Sequence, residues 1–296
     1  MSEHHLVYVH GICQHSRGYS DAWFASMRPF VPSLAPGDLS SGPGDLSKNR
    51  HEVLWSDLVN EPADEEAFAA ATSSAEISSI GAFKEERRLL VAELEQRRQA
   101  VLNEIEATAA ASGGDFGAMQ DGGFSIPGIS CVDDFMTYLM NEDVREQVIG
   151  RCLSVLRPLL DADKRVEVIA HSWGTVVVYE SLRRLDQASI GVVRNFFTVG
   201  SALAINFVNS RLLPEASDRR RPALVDRWVN LDAFGDFVGG SLVADGFEIE
   251  PEDDHTGLAA VGCGFIPTPS CAHSSYFISE NEVVNQGIFG ACVETP

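Results

Sequence analysis

Three residues far apart in this chain have the types, and follow the order, that a serine nucleophile requires: Ser172, Asp236 and His273. A serine hydroxyl is a weak nucleophile near neutral pH. It needs a base to take its proton, and the base needs an acceptor that fixes its tautomer and stabilises the cation. Ser172 is the centre of Ala170-His171-Ser172-Trp173-Gly174, with small residues two before and two after it. That spacing fits a sharp strand-to-helix turn. The apex side chain is lifted clear of the sheet, and the flanking residues at plus and minus two are forced together. The competing reading is a chance serine in an ordinary turn, because the pattern is short.

The other positions have rivals. Asp232 directly follows a predicted strand, whereas Asp236 lies a few residues on, in Asp236-Phe237-Val238. For the base, His255 in Asp253-Asp254-His255 competes with His273, which stands just before the last helix. The acidic pair beside His255 has the residue types of a metal site. Three adjacent residues cannot all ligate one ion well, so neither metal nor cofactor is expected. A second requirement is a place for the developing oxyanion. The early strand Leu6–Val9 stops at His10-Gly11-Ile12, and Gly11 lets the backbone come close to a substrate. By position the oxyanion donors are the N–H groups of Ile12 and Trp173, the latter at the N-terminus of the elbow helix. His10 and His171 flank the site in supporting roles.

Positioning these groups requires a particular scaffold. Apolar, β-branched runs at Leu6–Val9, His51–Trp55, Val166–Ala170, Val192–Val199 and Arg227–Leu231 read as strands. Helical spacing recurs between them: from Ser20 to about Arg28, at Asp133–Leu139, from Glu142 to Leu160, after the elbow, and from Glu280 to Phe289. Strands alternating with helices imply parallel pairing through crossovers, hence an open, mostly parallel α/β sheet. Residues 32–49 are loop by their Pro and Gly content. Residues 61–125 differ in character. Glu61–Ala71 is acidic and Ala-rich, and Lys84–Ala111 forms a long helix with Leu90, Leu94, Val101 and Ile105 on one stripe. The segment reads as a helical-hairpin insertion. It serves as a lid or wall over the site, or as an arm through which the chain forms a homo-oligomer. The stripe is shorter than a coiled coil needs, which favours the cap-like role.

Taken together, His10-Gly11, Ala170-His171-Ser172-Trp173-Gly174, Thr198-Val199-Gly200-Ser201, Trp228-Val229-Asn230, Asp236-Phe237-Val238 and His273-Ser274-Ser275-Tyr276 resemble the α/β-hydrolase superfamily, in particular its lipase/esterase-type serine hydrolases. The resemblance spans residues 1–296 as one domain, apart from the 61–125 insertion. It implies a Ser172-Asp236-His273 triad and ester hydrolysis through an acyl-enzyme. The same machinery also serves acyltransferases, amidases and peptidases, and silent members bind partners instead. The sequence departs from the pattern in two ways. The chain opens on the strand before the oxyanion loop, so the first strands of the full fold are expected to be absent. Trp173 is bulkier than the residue that often follows the nucleophile, which would narrow an acyl pocket.

Composition limits the partners. Against 22 Lys and Arg stand 43 Asp and Glu, a net charge of −21. Such a surface repels nucleic acid and anionic membranes, leaving a small ester or acyl compound as the expected substrate. Six dispersed cysteines, none in CxxC spacing, are expected to be mostly free thiols. No apolar run approaches a membrane span and no leader pattern is seen, so the expected location is cytoplasmic, with no stable membrane anchor.

Overall fold

A computed structural model describes residues 4–31, 49–59, 74–111, 131–188, 191–264 and 267–294. The Gly- and Pro-rich loop read at 32–49, except residue 49, lies outside these, as do the acidic first arm and the tail of the insertion. Six strands make one sheet: β1 (His4–Val9), β2 (Arg50–Val53), β3 (Arg165–His171), β4 (Val193–Val199), β5 (Val225–Ala233) and β6 (Asp254–Leu258). Their order is β2-β1-β3-β4-β5-β6, and every pairing is parallel. All the C-terminal strand ends therefore open on one edge.

The strands alternate between two apolar faces, as a two-residue period requires. Val7, Val9, Val53, Val168, Phe196 and Trp228 join one core. Leu6, Tyr8, Ile169, Phe197, Val229 and Leu231 join the other. Helices α3 (Val132–Met140), α4 (Glu142–Asp161) and α5 (Gly174–Arg183) supply the first core. Helix α1 (Asp21–Met27) and a C-terminal helix of wide turns (Val283–Gly290) cover the second. The last helix starts later than its sequence indicates, because the Asn281 side chain accepts the Val284 N–H at 3.3 Å and caps it there. Strand β6 was not expected. It carries no apolar alternation and is fixed by polar contacts: the Asp254 carboxylate accepts from Asn230 Nδ2 at 2.8 Å and Ser241 Oγ at 2.6 Å.

The described part of the insertion is a single helix, α2 (Ser74–Ala111), which starts ten residues before the expected Lys84. The early turns hold Ser78, Ser79 and Gly81, weak helix formers that hide the start. Leu90, Leu94 and Ile105 are fully buried, and Val101 packs against the same core. Arg97 ties α2 to the loops after β4 and β5, donating to the carbonyls of Ala204 at 3.0 Å and Phe237 at 2.8 Å, and to that of Gly239. Glu93 accepts the N–H groups of Asn206 and Phe207 at 2.7 and 2.8 Å. Among the described residues, no helix is long and apolar enough to cross a membrane.

Cysteine pairing corrects the expectation of mostly free thiols. Cys13 bonds Cys131 and Cys263 bonds Cys271, leaving Cys152 and Cys292 free and buried. These pairs are 118 and 8 residues apart. Only the folded chain brings the first together, so no spacing rule could find it.

One buried charge cluster locks the helices to each other. Glu180 on α5 is fully buried and accepts from Arg145 on α4, from the Tyr138 hydroxyl on α3 at 2.6 Å, and from the Leu213 N–H at 2.8 Å. Removing one member of such a set strands the other charge in a low-dielectric core. Glu180→Ala is expected to lower stability by about 3–5 kcal/mol, read as a fall in the urea midpoint.

Candidate active site

The turn after β3 is built as the pentapeptide predicts. Ser172 has φ +56°, a left-handed conformation that a non-glycine residue adopts only when its surroundings enforce it. The enforcement is visible. The Ser172 N–H donates to the Val199 carbonyl at 2.9 Å, and the Ser172 carbonyl accepts from the Thr175 N–H at 3.1 Å and the Thr175 hydroxyl at 2.6 Å. Two glycines let the turn pack against the end of β1. A Cβ on Gly174 would lie 2.2 Å from the His10 carbonyl oxygen, and one on Gly11 would lie 2.9 Å from Ser172 Cβ.

Ser172, His273 and Asp236 form one hydrogen-bonded chain. Ser172 Oγ lies 2.9 Å from His273 Nε2, and His273 Nδ1 lies 2.9 Å and 3.0 Å from the two oxygens of Asp236. Asp236 is buried and accepts three further hydrogens: the Tyr276 hydroxyl at 2.7 Å and the N–H groups of Val238 and Gly239 at 2.9 and 3.2 Å. Burial alone would push its pKa up. The adjoining His273 and the hydrogen bonds from His273, Tyr276 and Val238 outweigh that and hold it down at about 2. Gly200, at φ +53°, ends β4 beneath this pair. A Cβ there would meet Asp236 Oδ2 at 2.7 Å and His273 Nδ1 at 3.0 Å.

The flanking histidines are held neutral. Burial, with the neighbouring His273, lowers the pKa of His171 to about 3; its Nε2–H donates to the His273 carbonyl at 2.8 Å. Burial likewise lowers His10 to about 3. His10 Nδ1–H donates to the Gly11 carbonyl at 2.6 Å, its ring stacks on Trp55, and the Trp55 backbone N–H donates to His10 Nε2 at 3.2 Å. The N–H groups of Ile12 and Trp173 donate to none of the described residues. The Trp173 ring turns inward onto Phe135, with centroids 4.1 Å apart, and is 2% exposed.

The rivals fall elsewhere. His255 lies inside β6, paired in register with Leu231, and Asp253, two residues before it, is taken up by Arg227. Asp232 lies within β5 and faces a cavity of about 420 Å³ that Arg97, Glu104 and Thr256 also line. One of its oxygens has no hydrogen-bond partner among the described residues. Burial, then the charge of Asp236, raises its pKa to about 8. Among the described residues, no three His, Cys, Asp or Glu side chains are grouped to hold a metal ion. Sequence reasoning gave no role to Tyr276 or Arg97. Tyr276 was visible in outline, since it follows His273 by three residues and so returns to the same side of a helical turn. Arg97 carried no local signal at all.

Comparison with protein-family models, curated proteins and solved structures finds no match.

The raised pKa of Asp232 fixes a sign. The folded chain holds a proton there that the unfolded chain releases above its ordinary value of 3.8. Folding stability therefore falls through this group as pH rises from about 4 to about 8. Asp232→Asn keeps the shape and removes the titration. Relative to the parent, its melting temperature should rise more at pH 8 than at pH 4; an equal change at both would contradict the assignment.

Proposed function

We propose that the protein is a serine hydrolase of the α/β-hydrolase type that cleaves carboxylic esters through an acyl-enzyme. The observation that carries this reading is the unbroken hydrogen-bonded chain from Ser172 through His273 to Asp236, set on the edge where all six strands end. In the first step Ser172 Oγ attacks the ester carbonyl and His273 Nε2 takes its proton. Asp236, ionised throughout the neutral range, keeps the Nδ1–H pointed at itself and stabilises the imidazolium. The carbonyl oxygen takes on negative charge and is met by the uncommitted N–H groups of Ile12 and Trp173. His273 then passes its proton to the leaving alcohol, and water repeats the sequence to free the acid.

Helix α2 is best read as a wall of this site. Its stripe of Leu90, Leu94 and Ile105 is already buried within the chain and so is not free for a second copy. Arg97 and Glu93 fasten it to the loops after β4 and β5. The compartment is a separate matter. The two disulfides weigh against the cytoplasmic expectation, because cytosolic reductants keep such thiols open.

The test is turnover of short p-nitrophenyl esters. Ser172→Ala should reduce it to background with the melting temperature unchanged, and a fluorophosphonate should label the parent but not this variant. Asp236→Asn should lower kcat by roughly 10⁴-fold, as loss of the tautomer-fixing carboxylate does elsewhere. Asp232→Asn should stay within a few-fold of the parent. Full turnover by Ser172→Ala would reject the reading.

A further inference from the structure

The two donors assigned to the oxyanion come from distant parts of the chain, yet both are referred to one helix. Cys13 directly follows Ile12 and sits at φ +73°, a left-handed conformation for a non-glycine residue. Its disulfide to Cys131, the residue that precedes α3, holds it there. Further along α3, Phe135 packs on Trp173, the residue of the second donor. Helix α3 is itself fixed to the elbow helix by the Tyr138–Glu180 hydrogen bond. The start of the oxyanion loop has separate support, since the Trp55 indole donates to the His10 carbonyl at 3.0 Å. What the disulfide to α3 determines is therefore the far side of the loop, at Ile12 and Cys13.

We propose that Cys13 and Cys131 are positioning residues of the oxyanion hole: through α3 their disulfide sets the spacing between the Ile12 and Trp173 N–H groups. The proposal rests on the serine-hydrolase reading. An oxyanion hole acts only if its donors already point to where charge will develop, so a loop released at Cys13 loses transition-state stabilisation and little ground-state binding.

The experiment uses the full oxidised chain, a p-nitrophenyl ester, and its thionoester counterpart, whose sulfur accepts hydrogen bonds poorly. In the double variant Cys13→Ser/Cys131→Ser, which keeps the Cys263–Cys271 bond, ester kcat should fall by about 10²-fold, the scale of losing one oxyanion donor. KM should stay within about threefold, and the thionoester rate should fall much less than the ester rate. Phe135→Leu, which keeps the disulfide and removes the ring that packs on Trp173, should show the same selective loss at several-fold. This variant stays informative if the double variant fails to fold. Unchanged ester kcat, or an equal fall for both esters, would overturn the proposal while leaving the hydrolase reading intact. A parent that neither turns over esters nor reacts with a fluorophosphonate would overturn both.

Discussion

The structure depends on one close approach, between the turn at Ser172 and the end of β1. Parallel strands β1 and β3 are neighbours, so the loop leaving β1 and the helix leaving β3 must share the space above them. They can do so only because Gly11 and Gly174 carry no side chain; a Cβ on Gly174 would come within 2.2 Å of the His10 oxygen. That contact brings Gly11 against Ser172 and helps hold Ser172 in a conformation it would not choose alone. The arrangement of the remaining groups follows from it. The elbow fixes where Ser172 Oγ points, and the loops after β4 and β5 and before the last helix deliver Gly200, Asp236 and His273 to that point.

Electrostatics around this point separate the groups by burial and by partners. Asp236 is buried and remains charged because donors surround it. Asp232, four residues earlier, is also largely enclosed but has an oxygen without a partner, and it sits beside the charge of Asp236. Two carboxyls so close cannot both ionise cheaply, and the one with more hydrogen-bond donors keeps its charge. His10 and His171 are kept neutral by the same burial. They act as hydrogen-bonding spacers, so His273 has no imidazolium neighbours near neutral pH.

Helix α2 contributes differently. It adds no strand and no group to the hydrogen-bonded chain, yet Arg97 donates to four carbonyls of the loops after β4 and β5. The loop that carries Asp236 is thus held by Arg97 of the insertion, and the Asp236 carboxylate by Gly239 and Tyr276. The segment whose sequence favours a cap-like role over an arm is tied to the loop that carries Asp236.

The local sequence determined the five strands with apolar runs, the helices between them, the parallel architecture and the pentapeptide that makes the turn at Ser172. Each rests on interactions within a few residues: β-branched runs, helical spacing, and small residues where backbones meet. The sequence also singled out Asp236 and His273, but only by their order and by resemblance, with Asp232 and His255 as rivals. Tertiary structure alone placed Asp236 against His273 and left Asp232 and His255 aside, since strand register and loop path set which carboxyl reaches the imidazole. It alone added β6, whose hold is a set of polar contacts rather than a pattern. It alone paired Cys13 with Cys131 and set Arg97 over the Asp236 loop, because these contacts span more than a hundred residues and leave no trace in spacing.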